Sequence, residues 1–227
     1  MQNNINLHFV SLDQNFLIAI NEKFKNTFVN IEYTHGSVAT ISHNNTAFIS
    51  PTNSYGDMNS GIDHIYNNSM FFGIEKLVKE KIKSLGHHTT VQKYYLKVGN
   101  AIITATDSMK SNNTLLISAP TMFIAQDVSN TYNVYYSYLA ALMVFKKYLL
   151  SNQGNQACNI TKLVCPALCC NTGNMSYEKC ASQIYEAFYN FINNNIPNDL
   201  SLDNTVVLID SYTIFKNVNA QFKNKNE

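Results

Sequence analysis

The stretch from Ser50 to Asp63, SPTNSYGDMNSGID, constrains this chain more than any other. It follows the continuous apolar run Ala47-Phe48-Ile49 and precedes a segment with helical spacing. A short run without polar alternation suits a strand buried on both faces. A strand that passes through a turn-rich loop into a helix is the repeating step of an α/β sheet, and ligands of such sheets bind beyond the carboxyl ends of the strands. The loop is crowded with small and hydrogen-bonding residues, and one carboxylate, Asp63, falls near the start of the following helix.

The same step recurs along the chain. Leu7 to Val10 reads as a strand, and Asp13 as the N-cap of a helix through Phe16, Ile18, Ile20 and Phe24. Phe28 to Tyr33 alternates and predicts a second strand, closed by Gly36. Ile62 to Ile82 carries helical spacing, ended by Gly86. Val98 to Thr104 and Thr114 to Pro120 read as strands, and Ser129 or Thr131 as the start of an apolar helix through Leu150. Ile160 to Val164 is the next strand, followed by a second unusual loop, Cys165 to Met175. Ser176 is placed to cap a helix through Tyr185, Phe188 and Ile192, with Glu178 in its first turn. Val206 to Ile209 predicts one more strand before a polar tail. Strands alternating with helices predict a three-layer α/β/α fold. The expected organisation is one domain over 1–195 and a C-terminal extension over 196–227.

Composition narrows the function. Apolar residues make up 45% of the 227-residue chain, enough for a core. The net charge of +1 gives no reason to expect general affinity for nucleic acid or anionic membrane. All 16 basic residues are Lys. Without a guanidinium fork, a bound phosphate must rely on backbone N–H groups, Lys or hydroxyls. The polar start, Met1 to Asn6, lacks the order of a signal peptide. The longest apolar segment, Val134 to Leu150, contains Ser137, Lys146 and Lys147, too polar to span a bilayer comfortably. These features read as a soluble, cytoplasmic protein. Five cysteines, Cys158, Cys165, Cys169, Cys170 and Cys180, crowd one region. Their odd number argues against a disulfide framework. With no C-x-x-C pair and no nearby His, no metal site is expected.

The two unusual loops carry a resemblance. Ser50 to Gly56 resembles the strand and Asn-containing ribose loop of the macrodomain family, an ADP-ribose-binding α/β module. Asn59 to Asp63 resembles that family's glycine-rich turn before a Val/Ile-Asp pair. Leu116 to Met122, Cys165 to Leu168 and Met175-Ser176 are similar to segments of its phage-type and bacterial branch. The similarity runs from about residue 6 to about residue 192 and implies a three-layer α/β/α fold around a mixed sheet. It also implies a ligand, ADP-ribose or an ADP-ribosylated target, with no cofactor or metal. In hydrolytic members the residues matching Asn53 and Asp63 act together. Asn53 would hydrogen-bond the distal ribose, and Asp63 would place or activate a water. Asn59, Ser60, Gly61 and Ile62 would wrap the ribose and a phosphate. Leu168, Cys169, Cys170, Asn171, Thr172, Gly173 and Asn174 would cradle the diphosphate, as a loop feeding a helix N-terminus can. Ser37, Pro51, Thr52, Tyr55 and Ala119 complete the implied contacts.

Each assignment has an ordinary counterpart. Asn53 can be an Asx-turn residue ending a strand. Asp63 can be a first-turn acid answering the helix dipole. The loop from Asn171 to Ser176 can be a plain helix entrance, and Tyr55 can simply cover the cleft. His35, His87 and His88 sit in expected turns without a matched partner. The chain also departs from the family pattern. Ser37 follows Gly36 where an adenine-reading Asp is usual, and glycines are lost around Asn59-Ser60 and Cys169-Cys170. Asn59, Asn171 and Asn174 tolerate left-handed backbone and are the expected substitutes, whereas cysteine is not. The alternative is a degenerate macrodomain, a non-catalytic binding or structural module. A phosphatase acting on ADP-ribose 1″-phosphate would use the same cleft.

Overall fold

In the computed structural model, residues 6–85, 87–89, 93–152 and 159–195 are described. They build a six-stranded sheet from β1 (Asn6–Ser11), β2 (Ile31–His35), β3 (Thr46–Ser50), β4 (Ile102–Thr104), β5 (Thr114–Ser118) and β6 (Lys162–Pro166). The strand order is β2-β1-β6-β3-β5-β4. Every neighbouring pair is parallel except β4 with β5, so the sheet is mixed. Helices α1 (Gln14–Phe24), α2 (Gly61–Ile65), α3 (Ile74–Ser84), α4 (Asp107–Ser111), α5 (Asn133–Ser151) and α6 (Tyr177–Ile192) connect and cover it. The segment from 196 onward lies outside the described residues, and with it the expected strand Val206 to Ile209 and the C-terminal extension.

Strand alternation divides the core in two. Successive side chains of a strand point to opposite faces. Phe9, Ala47, Ile49, Leu115, Ile117, Leu163 and Cys165 pack on one face with the buried sides of α1, α5 and α6. Val10, Phe48, Leu116 and Val164 pack on the other with Tyr66, Phe71, Ile74, Val78 and Ile82. Both central strands, β3 and β5, are buried throughout, as continuous apolar runs require. Among the described residues, no helix is long and apolar enough to cross a membrane.

The register sets up the site. Ser11 pairs with His35, Val10 with Pro166, and Ser50 with Ser118. Five parallel strands therefore end along one edge, and their following loops gather there.

Several boundaries differ from the expectations. β2 begins at Ile31, and Phe28, placed in that strand by alternation, is fully solvent-exposed. The fourth strand is confined to Ile102–Thr104. α5 starts at Asn133 after Tyr132, because Ser129 and Thr131 serve the preceding turn: Thr131 donates to the Val128 carbonyl at 2.7 Å. The continuous helix expected over Ile62 to Ile82 is interrupted. A π-helical turn, Tyr66–Met70, follows α2, and Gly73 at φ +76° separates it from α3. The Phe71 N–H donates to the Tyr66 carbonyl at 2.7 Å. The extra residue of a π turn brings Phe71 inward, where its ring lies 5.6 Å from that of Phe48. Gly86, the expected terminator, is outside the described residues.

Candidate ligand-binding cleft

The loops after β1, β2, β3, β5 and β6 enclose one cavity of about 860 Å³, within the range of small-molecule sites. The loop after β3 forms one wall. Its backbone is tied down at Ser54, whose N–H donates to the Met122 carbonyl at 2.9 Å and whose carbonyl accepts from the Leu96 N–H at 2.8 Å. Asn53 lines the cavity, but its side chain also organises its own turn. Its Oδ1 accepts from the backbone N–H groups of Tyr55 at 3.0 Å and Asp57 at 3.1 Å, and its Nδ2 donates to Asp57 Oδ2 at 3.0 Å. The Asx-turn reading of Asn53 is therefore realised within the cleft wall. Asp57 lines the cavity too and forms an ion pair with Lys79 at 2.8 Å. Burial works to raise the Asp57 carboxyl, but hydrogen bonds from Lys79 and Asn53, with the Lys79 and Lys93 charges, hold it below the ordinary value.

Asp63 is more than an exposed first-turn acid. It lies in the first turn of α2 but is 8% exposed, and it lines the cavity. The buried Ser50 hydroxyl donates to its Oδ1 at 2.5 Å. Burial pushes the carboxyl up to about 7, against the lowering effect of Ser50. A carboxyl raised this far toward neutrality is suited to exchanging a proton. Between these carboxylates, Asn59 and Ser60 are exposed, and Gly61 takes φ +57°, a left-handed backbone that glycine adopts without strain. All three line the cavity, as does Ile62.

The loop after β6 forms the facing wall. Cys169, Cys170, Asn171, Thr172 and Gly173 line the cavity. Among the described residues, the N–H groups of Cys170, Asn171, Thr172 and Gly173 donate no hydrogen bond. A ligand oxygen can therefore occupy them, which matters in a chain without Arg. The loop is held by Met175 N–H donating to the Cys169 carbonyl at 3.0 Å and Asn174 N–H to the Asn171 carbonyl at 2.9 Å. A Cβ at Gly173 would stand 2.6 Å from the Cys169 carbonyl oxygen, so this glycine serves a close approach within the loop. The left-handed positions are Cys169 at φ +61° and Asn174 at φ +54°. Asn59 and Asn171 are not left-handed, contrary to expectation, and a cysteine takes a conformation that costs a non-glycine residue on the order of 1–3 kcal/mol. Burial raises the Cys169 thiol to about 12, so it stays protonated. Ser176 caps α6 as expected, its Oγ accepting from Lys179 N–H at 3.3 Å.

The remaining expected contacts divide. Ser37 and Pro51 line the cavity, Ser37 with its Oγ accepting from the Ala39 N–H at 3.3 Å. Thr52, Ala119 and Leu168 are almost fully buried and lie behind the walls. The Thr52 hydroxyl donates to the Asp57 carbonyl at 3.2 Å. Tyr55 packs on Phe123 with centroids 5.1 Å apart, and the Lys93 ammonium sits 5.6 Å over its ring, outside the cavity lining. Asn174 turns to Asp127, donating to its Oδ2 at 3.0 Å. His35, His87 and His88 are exposed and do not line the cavity. Sequence reasoning missed Asp57, Thr121 and Asp13 as cleft residues. Asp13 caps α1 and also accepts from the Tyr177 hydroxyl at 3.0 Å, joining the first and last loops. Its capping role was legible, but its partner 164 positions away was not.

Comparison with solved structures places this architecture. The macrodomain of Mycobacterium tuberculosis DarG is similar over 69% of this chain and 88% of its own, with 16% identity and a TM-score of 0.51. An Oceanobacillus iheyensis macrodomain variant with ADPR is similar over 83% of this chain and 89% of its own, at 13% identity and a TM-score of 0.49. The same organism's macrodomain with MES bound gives 14% identity over 83% of this chain and 87% of its own, also at 0.49. No protein-family model and no curated protein sequence matches the chain. The mixed sheet with helices on both faces is the macrodomain fold, as expected from the two loops.

Proposed function

We propose that the chain binds ADP-ribose in this cleft and hydrolyses ADP-ribosyl linkages at the distal ribose. The carrying observation is the pairing of two unlike walls across one cavity. One wall offers the carboxylates and amide of the loop from Asn53 to Asp63, suited to sugar hydroxyls and water. The other offers the unpartnered N–H groups of Cys170 to Gly173, suited to a diphosphate. The fold and the loop resemblance add ADP-ribose as the molecule that has both parts.

In this scheme the ribose lies against Asn53 and the diphosphate against the facing loop. A water attacks the anomeric carbon, and Asp63 in its ionised form takes the water's proton. The bond to the target atom breaks, and the target leaves with the bonding pair and the proton that Asp63 gives back, which restores the carboxylate. The scheme routes no step through a metal or cofactor, and the backbone amides donate hydrogen bonds to the diphosphate. The natural partner is then an ADP-ribosylated target.

The test is release of ADP-ribose from an ADP-ribosylated protein, followed by chromatography. Asp63→Ala is expected to lower turnover at least about 100-fold, the ordinary range for losing a general base, and Asn53→Ala to lower it too. Unchanged turnover in both variants contradicts the hydrolytic scheme. One observation favours a second reading, a binding module without turnover: the Asn53 side chain is engaged by its own turn. Tight ADP-ribose binding by the unaltered chain with no release from any target supports that reading.

A further inference from the structure

We infer that Asp57 is the ribose-gripping residue of the cleft and that its carboxylate accepts hydrogen bonds from the hydroxyls of the distal ribose. The inference rests on the function proposed above and adds a residue to it. Asn53 keeps one Nδ2 hydrogen to donate to a sugar but no acceptor. Its Oδ1 already accepts two backbone N–H groups, and its Nδ2 already donates to Asp57. Asp57 is the opposite case. Lys79 holds its Oδ1 at 2.8 Å and Asn53 holds its Oδ2 at 3.0 Å, so the carboxylate has a set orientation. A carboxylate has about four lone-pair sites, and these contacts use one on each oxygen. The side chain remains 37% exposed and lines the cavity together with Asp63, which follows it in the first turn of α2.

The chemistry of that arrangement favours a vicinal diol. Two neighbouring O–H donors match the two oxygens of one carboxylate, and hydrogen bonds to an ionised acceptor are the strong ones. A phosphate would be repelled from this wall and drawn to the unpartnered N–H groups across the cavity. Asp57 therefore also orients the ligand, sugar to the β3 loop and diphosphate to the β6 loop. Lys79 belongs to α3 and acts through Asp57 as a positioning residue.

The test compares ADP-ribose with ADP, which lacks the distal ribose, by calorimetric titration of the full chain. Asp57→Asn keeps the size of the side chain and an oxygen for Asn53 to donate to. It is expected to weaken ADP-ribose binding about tenfold or more and to leave ADP binding within about twofold. Asp57→Ser is a second variant should the first fail to fold, and it is expected to show the same split. Equal ADP-ribose affinity in variant and unaltered protein overturns the inference. An equal loss for ADP-ribose and ADP also overturns it, by reducing Asp57 to a structural role. Failure of the unaltered protein to bind ADP-ribose is a different result and removes the proposed function together with this inference.

Discussion

Asp63 holds a buried carboxyl at about 7 where 3.8 is ordinary, and burial is the main cause. The folded state therefore binds its proton more tightly than the unfolded chain. Between pH 3.8 and about 7 the folded state retains a proton that the unfolded chain loses, so stability falls as pH rises through this window. Below it Asp63 has no effect, and above it the full penalty applies, on the order of 4 kcal/mol at about 1.4 kcal/mol per unit. Asp63→Asn should accordingly stabilise the protein at pH 8 and have little effect near pH 4, measured by urea unfolding at both. An equal effect at the two pH values would contradict the assignment. Ser50→Ala removes the hydroxyl that lowers the Asp63 carboxyl. The alkaline shift this predicts is read from the pH–rate profile, and an unmoved profile would count against it. Asp63 was legible from its place four residues after Asn59 in a patterned turn. Asp57 was not, because its orientation comes from Lys79, a residue on a helix the sequence merged with its predecessor.

At the scale of the elements, apolar runs and capping residues were read well and interruptions were not. β3 and β5 are buried from end to end, as their runs of apolar residues demand. Asp13 and Ser176 cap α1 and α6 through contacts only two and three residues away. Such signals are local, so a sequence displays them. The break between α2 and α3 is set by tertiary packing: the Tyr66 hydroxyl donates to the buried Ile49 carbonyl at 3.1 Å, and the rings of Tyr66 and Phe71 stack. Periodicity alone carries no trace of that bond. The β6 loop was read as a ligand loop and it lines the cavity, but its left-handed positions were assigned to the wrong residues in part, because Cys169 accepts the strain. Gly173→Ala should destabilise the protein by about 1–3 kcal/mol, the range for overpacking, and weaken ligand binding, since its Cβ would meet the Cys169 carbonyl at 2.6 Å. Gly61→Ala has open space around it, so only the left-handed backbone cost of about 1–2 kcal/mol applies. Thermal unfolding of the two variants alongside ADP-ribose titration checks the contrast. A Gly173 variant that unfolds and binds as the unaltered protein does would show that the loop relaxes freely.

On the scale of the whole molecule, parallel register brings five loop-bearing strand ends to one edge, and the cleft follows from that topology. Alternation of strands and helices made the layered fold legible, while the order of strands in the sheet was not written in any local pattern. The absence of Arg is the compositional fact with the widest consequence. It leaves any bound phosphate to backbone N–H groups, Lys or hydroxyls, and the proposed function assigns it to the N–H groups of Cys170 to Gly173, which are unpartnered among the described residues. A ligand that fits both walls should stabilise the entire domain by mass action, about 2.7 kcal/mol at a hundredfold excess over the dissociation constant. For a domain of this size that corresponds to roughly 5–10 °C in melting temperature. The most direct measurement is the thermal unfolding of the full chain against increasing ADP-ribose. An upward shift of that size at a hundredfold excess, still rising with the logarithm of ADP-ribose concentration, is the expected result, and no shift at millimolar ADP-ribose would contradict ADP-ribose as the ligand of this cleft.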